Sequence, residues 1–180
     1  MPRQTRTAFL LAGGALLLGG ASAAVAATEE DEALLRLGAA AELVAAAFYY
    51  RALTSRHFDR RDRAELRRAR LADQSHYSAL VAQLGPTAPV ASDFDLRLPK
   101  AAFDSEEGAR ALGTRIERAV LGVHLTAASS LSTPELRALA ARMAASEAAH
   151  VTFLSGTVGA PLPDLVDAER ASRILAPYWG

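Results

Sequence analysis

Glu42 is followed 31 positions later by Asp73-x-x-His76, and Glu117 is followed 30 positions later by Glu147-x-x-His150. Each of these polar groups sits in a run rich in Ala, Leu and Val, where an unpaired carboxylate is costly to bury. Carboxylate oxygen and neutral imidazole nitrogen are donors for divalent metal ions. Four carboxylates offset the charge of two such ions, while His76 and His150 add one nitrogen to each. An i, i+3 spacing puts acid and imidazole on one helix face, about 5–6 Å apart at Cβ, so both can reach one ion. One carboxylate from each of two helices, plus an acid-x-x-His pair from each of two others, is the set that builds a two-metal site inside a four-helix bundle. Glu42, Asp73, His76, Glu117, Glu147 and His150 are therefore the candidate metal ligands. Asp73 is one methylene shorter than Glu and is expected to reach less far and to hold its ion less well.

A single acid-x-x-His is weak evidence on its own. Two of them, each preceded by an isolated Glu in an apolar run about 30 residues upstream, is a far less accidental pattern. The competing reading is a metal-free core in which the same groups pair with one another or with Arg115 and Arg118. Two more residues share the faces of the candidate ligands. Tyr49 lies seven after Glu42 and His124 seven after Glu117, so each could stand near the site; a histidine so placed is more often a hydrogen-bonded core residue. His57, among Arg56, Asp59, Arg60 and Arg61, reads as solvated. Phe48, Tyr50, Met143 and Phe153 read as packing residues. Ser129, Ser130 and Ser132 have no histidine–acid partner in sequence, so a serine nucleophile is unsupported.

Positioning these groups requires four long helices. Thr28 caps a first helix that runs to about Leu53, with Leu35, Leu37, Ala41, Val44, Phe48 and Ala52 among its apolar positions. A second spans about Arg60 to Leu84 and stops at Gly85-Pro86. Its first half is densely charged, so that end is expected to protrude. A third runs from about Ser105 to Ser130. Ser132-Thr133-Pro134-Glu135 starts a fourth that reaches about Gly156. A short fifth, Leu165 to Leu175, is expected to end before Pro177. Short turns make helices one and two, and three and four, antiparallel neighbours. The stretch of about 20 residues between them, at ~3.3 Å per residue, can cross the length of a bundle. The fold class is all-α: a four-helix bundle with one long crossover between helices two and three.

The 180 residues suit one domain with a substantial core. The 20 basic residues are 19 Arg and Lys100, and no basic stripe interleaved with aromatics occurs, so nucleic acid is not an expected partner. The absence of Cys excludes a disulfide framework and thiolate ligation. Arg3 and Arg6, the uncharged stretch from Ala8, and a small-residue end near Ala26 and Ala27 read as a targeting segment over residues 1–27. The domain proper is then 28–180, exported to a periplasmic, cell-wall or extracellular location. Left uncleaved, Ala8 to Ala27 is just long enough for a membrane anchor. Oligomeric state has no signature in the sequence.

The segments Ala41-Glu-Leu-Val-Ala-Ala-Ala-Phe-Tyr-Tyr, Ala72-Asp-Gln-Ser-His-Tyr-Ser-Ala-Leu, Ile116-Glu-Arg-Ala-Val and Ser146-Glu-Ala-Ala-His, with Asp93-Phe-Asp-Leu in the link, carry a resemblance. From about Asp31 to Pro163 the chain resembles the exported ferritin-like domain proteins of bacteria, including those related to desiccation-associated proteins. The resemblance implies a ferritin-like bundle and, position by position, Glu42, Asp73, His76, Glu117, Glu147 and His150 as ligands of iron or manganese, with Asp73 standing where the pattern carries Glu. It implies no particular reaction. Ferroxidase, peroxide-scavenging or related redox chemistry is one expectation; a metal-free binding or stress-protection protein is the other.

Overall fold

The computed structural model describes residues 28–156 and 166–179. The targeting segment at 1–27 and the expected helix start at Leu165 lie outside the described residues. Five helices follow in order: α1 (Glu29–Thr54), α2 (Arg60–Leu84), α3 (Glu106–Ser130), α4 (Pro134–Ser155) and α5 (Ala168–Trp179). The four long ones begin where a short oxygen-bearing side chain satisfies a free N–H of the first turn. Thr28, Asp59, Ser105 and Thr133 accept from the backbone N–H of Asp31, Asp62, Gly108 and Leu136. α2 stops at Gly85, whose φ of 58° favours glycine.

Side-chain pairings along the bundle set the directions. Glu42 meets His76 and Ser55 meets Arg63, so α1 and α2 run antiparallel. Glu117 meets His150 and Arg110 meets the Phe153 carbonyl, so α3 and α4 do the same. Arg110 also pairs with Asp62 at the start of α2, so α2 and α3 run parallel. The link between them therefore travels the full length of the bundle, as its length predicted. It does so through three short 3-10 turns, Gly85–Thr87, Ala91–Asp93 and Lys100–Phe103. Tyr77 donates to the Pro89 carbonyl at 2.8 Å, while Leu96 and Leu98 pack against the main core.

Asp31 fastens one end of the bundle. Its carboxylate closes the α1 capping box and accepts from the N–H and hydroxyl of Ser132, in the turn between α3 and α4. α5 packs on α3 and against the link, where Arg97 N–H donates to the Tyr178 carbonyl at 2.8 Å. α3 admits this layer at Gly122: a Cβ there would overlap the Val166 carbonyl.

Three expectations need correcting. α5 continues through Pro177 to Trp179 rather than ending before it. Only two residues of the helix follow the proline, so little helix is disturbed, and Tyr178 and Trp179 reach the core and the Phe94 ring. The charged first half of α2 does not protrude: Leu66 and Ala69 are buried, and Arg63 and Asp62 are tied to neighbouring elements. Tyr50 is not a packing residue but lies 36% exposed beneath Arg70. α1 is long and apolar enough to cross a membrane by length and composition alone, yet it is mostly buried and carries Glu42 at the bundle's centre, as a core helix does.

Candidate metal centre

Each of the four long helices sends its polar group inward from the middle of an Ala-rich stretch. Small neighbours such as Ala41, Ala45, Ala119 and Ala144 let the helices approach closely and leave room for the larger carboxylates. Glu42, Asp73, Glu117 and Glu147 are all fully buried, and His76 and His150 stand nearly so beside them. All six residues singled out by spacing come together.

They fall into two overlapping groups. Glu42, Asp73, His76 and Glu147 bring ligand-capable atoms within 4.8 Å of one another, as do Asp73, Glu117, Glu147 and His150. Asp73 and Glu147 belong to both groups and so occupy the centre, while Glu42 with His76 and Glu117 with His150 form the two flanks. His150 Nδ1 lies 2.8 Å from Glu147 Oε2 and 3.4 Å from Asp73 Oδ1. His76 Nδ1 lies 2.7 Å from Glu147 Oε1, off the axis of a hydrogen bond, and 3.3 Å from Glu42 Oε1. Arg115 is exposed and Arg118 only partly buried, so of the two pairings expected of a metal-free core, the one with these arginines is not made, while pairing among the six groups themselves is.

Seven atoms of this cluster are buried without a hydrogen-bond partner: Glu42 Oε2, both oxygens of Asp73 and of Glu117, His76 Nδ1 and Glu147 Oε1. A buried polar atom left unpaired costs about 1–3 kcal/mol, and more if charged. Such a set fits a cation: four carboxyl groups and two imidazoles are donors that a divalent metal ion accepts.

Protonation shows the same demand for positive charge. Burial, then the charges of Glu117, Glu42 and Glu147, hold the Asp73 carboxyl well above the ordinary range. Burial, then Glu147, pushes Glu117 up to about 8. Burial also pushes Glu147 upward, but His150 and His76 outweigh it and leave that acid below its usual value. Burial opposes charge on the imidazoles, yet the carboxylates prevail: His76 rises to about 9 under Glu147 and Glu42, and His150 to about 10 under Glu117 and Glu147. Protons on the imidazoles and on the raised carboxyls stand where cations would.

The two residues placed by the seven-residue spacing also lie at the cluster. Tyr49 is fully buried, its ring edge-on to His150 at 6.0 Å between centroids, and its hydroxyl has no hydrogen-bond partner. Burial, then Glu117 and Asp73, raises its phenol well above 10. His124 places Nε2 2.7 Å from Glu42 Oε1. His57 is exposed, as expected, and Met143 is buried. Sequence reasoning missed the junction made by Asp31; the Thr28-x-x-Asp31 capping signature was its only trace.

The fold and the cluster define a class: a helical bundle with a carboxylate–imidazole centre buried in its core and capable of holding metal. The ferritin-like domain family model matches residues 30–160, and the chain belongs to that family. Comparisons with curated proteins and with solved structures returned no match.

Proposed function

We propose that this chain is a di-metal carboxylate protein that binds two iron or manganese ions. Glu42 and His76 would hold one ion and Glu117 and His150 the other, with Asp73 and Glu147 shared between them. The observation that carries this reading is the convergence of unpaired buried carboxylate oxygens on a single region that two overlapping ligand groups surround. Bound in reduced form, such a pair supplies electrons to dioxygen or peroxide, the basis of ferroxidase or peroxide-scavenging activity. The protein's own part is to hold the carboxylates in a water-poor core, to let them change binding mode as charge changes, and to release protons from His76, His150 and the raised carboxyls as ions enter.

The basic, apolar and small-residue pattern of residues 1–27 supports export of the domain. In that setting the redox chemistry of such a site would serve stress protection. A metal-free binding or protective bundle is the alternative; in it, protons on the imidazoles and the raised carboxyls alone offset the four buried carboxylates, and seven buried polar atoms stay without a partner.

Metal analysis of the domain purified without chelators tests the proposal. Close to two iron or manganese ions per chain is expected, and their loss in a Glu147→Ala, His150→Ala double variant. A wild-type protein that stays metal-free after incubation with ferrous and manganous salts would refute it.

A further inference from the structure

His124 is not among the six side chains that could hold ions, yet it touches one of them. It is 1% exposed on α3, and its Nε2 lies 2.7 Å from Glu42 Oε1 on α1. Facing a carboxylate oxygen, Nε2 donates in the tautomer that carries its proton there. The bond spans 82 residues of sequence and joins α1 to α3. The imidazole is boxed in: its Cε1 lies 3.5 Å from where a side chain on Gly38 would begin, and its ring stands edge-on to His76 at 6.3 Å.

The opposite flank is built differently. Both oxygens of Glu117 lack a hydrogen-bond partner, and the neighbouring Tyr49 hydroxyl lacks one too. Of Glu42, only Oε2 is left without a partner. One terminal carboxylate is therefore fastened before any ion arrives, whereas the other, enclosed between Tyr49 and His150, is held by no comparable bond.

We infer that His124 is the positioning residue of Glu42, fixing that carboxylate toward His76 and making the two ion positions unequal. The inference rests on the proposed two-ion site. The Glu42–His76 position is preorganised and binds the tighter ion, because its carboxylate loses less freedom on binding. The Glu117–His150 position is the adaptable one. A hydrogen bond of this kind, one step removed from the ion, typically alters metal affinity by about 10–100-fold.

Calorimetric titration of the chelator-stripped protein with manganous ion tests this. Gln places an amide N–H near the position of imidazole Nε2, whereas Asn falls short of it. His124→Asn should weaken one of the two binding steps by about 10–100-fold and leave the other unchanged, and His124→Gln should restore most of the loss. In a Glu42→Ala background His124→Asn should have no further effect, which a merely structural role would not produce. His124→Phe, which keeps the ring but not the donor, replaces His124→Asn if that variant does not fold, as judged by helicity in chelator. Equal weakening of both steps, no weakening, or an undiminished effect in the Glu42→Ala background would overturn the assignment. A wild type that binds no manganese would instead remove the two-ion reading itself, and the assignment with it.

Discussion

Replacing Glu117 by Gln should make the metal-free protein more stable and the metal-loaded protein less so. Glu117 is fully buried, and neither carboxylate oxygen has a hydrogen-bond partner. Its folded-state value of about 8 lies above the 4.5 of an unperturbed Glu, through burial first and Glu147 second. Below pH 4.5 folded and unfolded chains both keep the proton, and the residue costs nothing through ionisation. Between 4.5 and 8 the folded chain holds a proton that the unfolded chain has released, so stability falls as pH rises, and above 8 the full penalty is present. At about 1.4 kcal/mol per pH unit that interval has a ceiling near 5 kcal/mol. Because Gln in turn leaves a buried amide without a hydrogen-bond partner, at about 1–3 kcal/mol, we expect roughly 2–3 kcal/mol, or a melting temperature about 4–12 °C higher for the Gln variant at pH 8 to 9 in chelator. The difference should shrink toward zero near pH 5. With manganese at about 100 times its dissociation constant, wild type should gain ~2.7 kcal/mol and the variant far less, narrowing or reversing the order. Thermal melts followed by circular dichroism, with and without metal, read all of this. A Gln variant that melts below wild type in chelator at pH 8 to 9, or a gap indifferent to pH, would show that Glu117 carries no buried-charge penalty.

Other consequences follow from the same geometry. Asp73→Glu lengthens a shared carboxylate by one methylene and should tighten manganese binding in calorimetry; weaker binding would mean the core is shaped for Asp. His76 at about 9 and His150 at about 10, both above the ordinary 6.5, contribute stability that is complete below pH 6.5 and lost as pH rises through those values. Ions must displace the same protons, so manganese affinity should climb between pH 6.5 and 9, and a flat profile would contradict the protonation described. Gly122→Ala, which pushes a methyl group into the Val166 carbonyl, should cost about 1–3 kcal/mol in a thermal melt and leave the metal stoichiometry unchanged.

Much of this architecture is legible in the chain because its signals are local. Thr28, Asp59, Ser105 and Thr133-Pro134 mark helix starts by short-range capping, and Gly85 marks a stop by its backbone freedom. The crossover follows from length alone. The six inward groups were visible because acids and histidines are rare in runs of Ala and Leu, and their equal spacing in two halves places them at matching depths. What escaped was long-range. The exposure of Tyr50 depends on how α1 turns against α2, and the docking of α2's charged half depends on partners 8 and 48 residues away. A rule about proline in isolated helices sets the expected boundary before Pro177, and burial of Tyr178 outweighs it. His124 and Tyr49 were placed on the right faces by the seven-residue interval, but only the crossing of α1 and α3 shows which carboxylate each one meets.

Two ions held among the buried acids and imidazoles would be directly visible. Crystals of the domain grown with manganous ion, measured at a wavelength where manganese scatters anomalously, test this most directly. Two peaks about 3.5–4 Å apart are expected, one between Glu42 and His76 and one between Glu117 and His150, with Asp73 and Glu147 reaching both. A core in which the six side chains hydrogen-bond only to one another or to water, with no anomalous peak among them, would contradict the two-ion site.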